Sequence, residues 1–251
     1  MKLIIPVDIT ASELTSYDVA EENKLVPFDD KVVTQVSKVD SMNYVITPGA
    51  IVDGIAFLNV EGSSIDIVVT DPGEGVVYST SIDLIITEDV VDGYTYCFNP
   101  VLVNKYVVKT DLPPYGSAAI SITINGATVT DTAYVGEIVI GKIRELGTTR
   151  YEGSFEIIDY SIKEVNEFGD FYITERSFSK RIPLDVLIKN VYIGYLKQTL
   201  EDYRSTPVVC IPTEKDNLVG PFLIYGYYKT ARVVVAYPDY SILTIEWEGL
   251  T

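Results

Sequence analysis

Histidine is absent from the 251 residues, and cysteine occurs twice. Without an imidazole there is no His general base, no Ser-His-Asp triad and no His-ligated zinc. Cys97 and Cys210 are too few for a four-thiolate zinc site. A disulfide between residues so distant in sequence is the lesser reading. Free, buried thiols suited to a reducing cytosol are expected instead. No apolar run reaches the ~18 residues of a membrane-spanning helix. No GxxxxGK[ST] loop is present, and no GxGxxG fingerprint follows a strand. Basic residues are also scarce. Nineteen Lys and Arg against 36 Asp and Glu leave a net charge of −17. That balance excludes a general nucleic-acid binder, whose phosphate contacts need cations. It favours solubility and basic partners.

The missing cations are unevenly missing. Arginine first occurs at Arg144, and all six bases of residues 1–133 are lysines. The segment 1–133 is strongly acidic, whereas 134–251 carries most of the bases. This break predicts two domains, 1–133 and 134–251, with a boundary near Asp131 to Gly141.

What is abundant points to β-structure. Nineteen tyrosines accompany many Val, Ile and Thr residues. Lys2 to Ile9, broken by Pro6, reads as an opening strand and not as a signal peptide. A polar arm over Thr10 to Lys24 follows, with a helical turn expected around Ser12 to Tyr17. Strands are then expected at Lys31–Val36, Asn43–Ile46, Ile51–Val60, Ile65–Thr70 and Val76–Ile86. Tyr94–Phe98, Tyr106–Lys109, Ala118–Ile124 and Tyr134–Ile140 continue the series. Turn residues such as Thr47-Pro48-Gly49, Asp71-Pro72-Gly73-Glu74-Gly75, Asp92-Gly93 and Asn125-Gly126 separate them. Short strands at this spacing predict a β-sandwich. The segments Gly54 to Gly62, Ile65 to Ser79 and Lys105 to Thr110 resemble the galactose-binding-like jelly rolls of many carbohydrate-binding modules. That resemblance implies a jelly-roll-like sandwich over roughly residues 28–140.

In the second half, Ile182, Leu184, Val186 and Ile188 alternate as in a half-buried strand. The period then changes. Ile193, Leu196, Leu200 and Tyr203 fall on one face of a helix over about residues 190–205, with Asn190 at the N-cap position and Pro207 beyond its end. Phe222–Tyr228, Arg232–Tyr237 and Ser241–Glu248 read as closing strands. The fold class expected is mainly β, with a C-terminal sandwich or barrel carrying one α-helix.

Ile157-Ile158-Asp159-Tyr160-Ser161, Phe168-Gly169, Glu175-Arg176-Ser177-Phe178-Ser179-Lys180-Arg181 and the ending Glu248-Gly249-Leu250-Thr251 carry a second likeness. In this order they resemble a family of tailed-bacteriophage virion proteins. The order of strand, helix, strand and closing hairpin is similar to the tail-hub fold, in which strands join neighbouring subunits into a ring. These resemblances imply a non-enzymatic structural subunit of the tail, collar or tail tip, assembled in the host bacterial cytoplasm. Its implied partners are copies of itself and other tail, collar or fibre proteins, with no cofactor.

Several clusters compete for a function. Arg176, Lys180, Arg181, Lys189, Lys197 and Arg204 form a locally basic stretch in an acidic chain. It reads either as a subunit interface or as a solvated face with pairs such as Lys197 with Glu201. Tyr94, Tyr96, Phe98 and Tyr115 are candidates for stacking on a host glycan, though tyrosine is also a routine strand residue. Asp71 and Glu74 are a lesser calcium candidate beside a plain hairpin turn. Glu152, Glu156 and Asp159, and Asp89 and Asp92, are carboxylates close enough in sequence for glycoside chemistry. Solvated surface is the favoured reading for them.

Overall fold

A computed structural model describes residues 1–86, 91–98, 102–151, 153–165, 169–213 and 216–250. Asp89, Glu152, Phe168 and the side chain of Tyr96 lie outside the described residues. The chain is mainly β and divides into two compact units, Ile4–Ile143 and Met1–Leu3 with Arg144–Thr251. The opening strand Lys2–Pro6 is divided between them. The charge break at 133/134 falls inside the strand Thr132–Val135, which pairs with Val36–Val39 in the N-terminal unit.

The N-terminal unit is a β-sandwich. One sheet runs in the order Leu14–Tyr17, Ser41–Ile46, Ala119–Asn125, Ser64–Asp71 and Gly75–Asp83. Its strands alternate as half-buried strands should. Met42, Tyr44, Ile46, Ile65, Ile67, Ile120, Ile122 and Ile124 point inward, with half-buried and mostly polar residues between them. They share a core with Ile55, Phe57, Val107, Ile138 and Ile140 of a second layer. That layer includes Tyr106–Lys109, Gly54–Leu58 and Glu137–Glu145. Every residue of Gly54–Leu58 is buried, as befits a central strand covered on both faces.

Four local expectations are corrected here. Residues 31–35 form a turn, and the strand is Val36–Val39. Thr34 N–H donates to the Lys31 carbonyl at 3.2 Å, and Val32's carbonyl accepts from the Asn59 amide at 2.9 Å. Residues 14–17 are a strand on Ser41–Ile46 and not a helical turn. Tyr94–Phe98 is not a strand but part of a short helix, Gly93–Phe98. Tyr94 and Phe98, four residues apart, stack their rings at 4.8 Å, a side-by-side contact that helical spacing permits. Both cysteines are free, but only Cys210 is buried and Cys97 is exposed.

One buried ionisable group stands out in this unit. Glu137 opens its strand opposite Leu58 and is only 3% exposed. Its carboxyl accepts from the backbone N–H groups of Lys31 and Asp30, while Oε2 is buried without a hydrogen-bond partner. Burial, and then the neighbouring Asp30 and Asp29, push its pKa up to about 9. The adjoining turn is held by Gln35, whose amide donates to the Asn59 carbonyl at 3.0 Å.

The C-terminal unit is built on the long strand Phe178–Lys189, paired along most of its length with Tyr240–Gly249. Ile182, Leu184, Val186 and Ile188 are buried, as are Leu243, Ile245 and Trp247 opposite them. Next comes Ile224–Val234, then the short buried strand Val208–Ile211. Ile224–Val234 is one strand where two were expected, with a register shift between Tyr228 and Thr230 in place of a break. The helix is Ile193–Asp202, preceded by the 3-10 turn Asn190–Tyr192. Leu196 and Thr199 are its buried residues, and Tyr228 Oη donates to the Leu200 carbonyl at 2.6 Å. Asn190 does not cap it. Its amide donates to the carbonyls of Tyr237 and Pro238 and its oxygen accepts from Ser241, so it ties the helix start to the loop before the last strand. A further helix, Asp216–Phe222, precedes Ile224–Val234.

Gly226 marks a close approach within this sheet. A Cβ there would lie 2.0 Å from the Glu248 carbonyl oxygen. Gly226→Ala is therefore expected to destabilise the chain by about 2–4 kcal/mol, because backbone cannot yield as a side chain does. Thermal denaturation checks this; an unchanged melting temperature would show that the two strands can separate freely.

Candidate functional site

The strand Glu156–Asp159 pairs with the start of Phe178–Lys189, Glu156 opposite Arg181 and Asp159 opposite Phe178. The two chains then run on together. Tyr160 N–H donates to the Ser177 carbonyl at 3.3 Å, and Arg176 N–H donates to Ser161 Oγ at 3.1 Å. Ile162–Val165 pairs next with Phe171–Thr174. Residues 156–165 and 171–181 thus form one antiparallel ribbon. Ten residues from Glu156 to Val165 give it a reach of about 30 Å.

The joint between the two halves of the ribbon is fixed locally. Asp159 accepts from Ser161 N–H at 2.9 Å, the side-chain-to-backbone turn that aspartate favours. It also accepts from Lys163 Nζ at 2.9 Å. Hydrogen bonds from Ser161 and then Lys163 hold its carboxyl well below the usual carboxylate range.

The outer half is unusual for a solvent-facing element. Its two strands pair only with each other among the described residues. Phe171, Tyr172 and Ile173 are 77%, 61% and 70% exposed. Successive strand residues point to opposite faces, so both faces of the ribbon are apolar. Val165, Ile157 and Tyr160 add to this surface. A lone two-stranded ribbon is marginal in water, and an exposed apolar surface of this kind marks an interaction site.

The six basic candidates do not form one patch. Arg176 lies on the ribbon and is exposed. Lys180 is half-buried at the ribbon's base, and burial lowers its pKa. Arg181 Nε lies 2.9 Å from Glu246 Oε1 on the neighbouring strand. Lys189 stands at the opposite end of the same strand, eight residues or about 26 Å away. Lys197 pairs with Glu201 at 3.5 Å on the helix, and Arg204 donates to the Glu201 carbonyl at 3.4 Å. The stretch is one in sequence and at least two places in space.

The remaining candidates are dispersed. Tyr94 and Phe98 are stacked and exposed, whereas Tyr115 packs partly into the sandwich core and donates to Glu74 Oε2 at 2.7 Å. Asp71 accepts from the N–H groups of Gly73 and Glu74 and from Ser117 Oγ, which makes 71–75 a side-chain-capped hairpin turn. Among the described residues no group of three Asp, Glu or Cys is placed to hold a metal ion. Glu156 and Asp159 are exposed.

A cavity of 480 Å³ lies in the C-terminal unit, lined in part by Thr149, Arg150, Tyr151, Leu184, Pro212 and Phe222. Glu145 is the one carboxylate in its lining among the described residues.

Two surfaces escaped sequence reasoning. Tyr227–Val234 extends past the short strand Val208–Ile211 and pairs only with Tyr240–Gly249 among the described residues. Val191, Tyr192 and Tyr195 are exposed around the helix start, joined through Asn190 to the loop that carries Val235 and Tyr237. The run Val233-Val234-Val235 breaks strand alternation and was the available signal for the first.

No family model matches this chain, and no curated protein matches it. Among solved structures it is similar to a selenomethionine-labelled variant of chitosan-binding module 1 from a chitosanase/glucanase of Paenibacillus sp. IK-5. The identity is 10% and the TM-score 0.36, over 55% of this chain and 98% of that one.

Proposed function

We propose that the chain is a non-enzymatic structural subunit of a tailed-phage virion. It works in the tail, collar or tail-tip region, where it forms a symmetric oligomer and anchors fibres or other tail parts. The observation that carries this reading is the apolar, uncovered outer half of the ribbon. The residues of the phage-protein resemblance, Ile157 to Ser161 and Glu175 to Arg181, lie along that same ribbon. A repeated structural subunit usually closes into a symmetric assembly, and a projecting arm supplies contacts for one. Light scattering on the purified chain tests the self-association, with an oligomer expected. Cryo-EM of phage particles tests the location. A chain that stays monomeric and never occurs in particles would overturn the reading.

A second reading, a carbohydrate-binding module that touches the host surface, is favoured by the stacked and exposed Tyr94 and Phe98. Aromatic faces of this kind suit sugar rings. A glycan array tests it: a bound sugar whose affinity falls at least about tenfold in Tyr94→Ala would support it, and an array without binding would end it.

A further inference from the structure

The outer ribbon and the free edge strand are chemically opposite. Along the outer ribbon lie Glu164, Asp170 and Glu175. Lys163 is engaged by Asp159, and Arg176, beside Glu175, is the other base of this stretch. Tyr227–Val234 carries Lys229 and Arg232 and no acid. Its residues from Lys229 to Val234 are all exposed, and one side of its backbone has no strand beside it among the described residues. Val233 and Val234, both exposed, offer apolar surface to match Phe171, Tyr172 and Ile173.

We infer that the outer ribbon of one copy adds as a strand pair to the Tyr227–Val234 edge of a second copy of this chain. This rests on the assembly reading and specifies its contact. Main-chain hydrogen bonds along an open sheet edge supply affinity in such additions, and side chains supply the choice of partner. An open edge that long is otherwise an aggregation hazard. Arg232 sets two such edges against each other, because like charges opposite one another repel, while Lys229 is paired with Glu248 at 3.3 Å. The same argument sets two acidic ribbons against each other. The pairing that remains is ribbon to edge. It is a heterologous contact, which repeats head to tail and closes into a ring where the rotation allows.

Cross-linking between two variants tests this, both made with exposed Cys97→Ser. One adds Ile173→Cys on the ribbon and the other adds Ala231→Cys on the edge. A short bismaleimide is applied to each variant alone and to the mixture, with light scattering in parallel. A cross-linked pair formed only in the mixture is the expected result. Oligomers that cross-link only in the Ile173→Cys sample, or not at all, would overturn the ribbon-to-edge contact and leave self-assembly standing. Monomers throughout would overturn both. As a second measurement, Arg232→Glu is expected to weaken association at least about tenfold, with recovery when Glu164→Lys is introduced as well. Equal association in all three proteins would count against the contact.

Discussion

The double substitution Phe171→Asp and Ile173→Asp is expected to abolish self-association while leaving the fold intact. Both side chains are largely exposed, on a strand that pairs only with Ile162–Val165 among the described residues. Charging them removes no core contact, so the melting temperature should move by no more than about 2 °C. At an interface the same change is severe. Anchoring aromatic and aliphatic residues contribute about 2–4 kcal/mol each, and a carboxylate buried against a partner adds a desolvation penalty. Association should weaken by at least about a hundredfold. Light scattering and thermal denaturation of the same sample decide it. If the oligomer survives, the ribbon is not the contact. If the melting temperature collapses, the ribbon belongs to the fold's own stability.

Glu137→Gln is expected to stabilise the chain in neutral and alkaline solution. The carboxyl is buried, close to Asp30 and Asp29, and its folded pKa of about 9 lies far above an ordinary carboxylate. Below pH 4 it is protonated in both the folded and the unfolded chain, so the substitution should change little. Between about pH 5 and 9 the unfolded chain releases this proton and the folded chain keeps it. The wild type then loses stability with rising pH, at up to about 1.4 kcal/mol per pH unit from this one group. Above about 9 the folded form ionises too and the loss levels off. Glutamine keeps the acceptor for the Lys31 and Asp30 N–H groups without a charge to bury. The difference between variant and wild type should therefore grow from near zero at pH 4 to several kcal/mol at pH 8. Denaturant titrations across that range measure it, and a difference independent of pH would refute the account.

The sandwich was legible in the sequence because its strands bury one face and punctuate their turns. Ile65, Ile67 and Val69 announce their side of the sheet by alternation alone. The long strand Phe178–Lys189 and the helix beside it were legible for the same reason, a clean change of period at Asn190. Failures came where tertiary partners outweigh local pattern. Val32 has the composition of a strand residue, yet Asn59, distant in sequence, claims its carbonyl. Tyr94 to Phe98 is rich in strand-forming residues and still coils. The basic stretch misled in another way. Sequence proximity suggested a patch, but a strand about 40 Å long separates what its residues place side by side. The ribbon was legible only as two stretches of resemblance, Ile157 to Ser161 and Glu175 to Arg181. Its exposure was not, because Phe171, Tyr172 and Ile173 have the composition of a core.

Met1–Leu3 belongs with Arg144–Thr251, and Leu146 N–H donates to the Met1 carbonyl at 3.0 Å. The intervening Ile4–Ile143 is therefore an insertion, in topological terms, within the C-terminal unit. That has a consequence in time. During synthesis the sandwich has all its strands once Ile143 has emerged, whereas the segment at the chain's start must wait for residues near its end. Closing so large a loop is entropically slow and comes after local contacts have formed. The C-terminal unit is thus the late-folding one, and it carries both the ribbon and the open edge. Under the assembly proposed above, surfaces that mature last would spare the chain premature self-association while it is still being made.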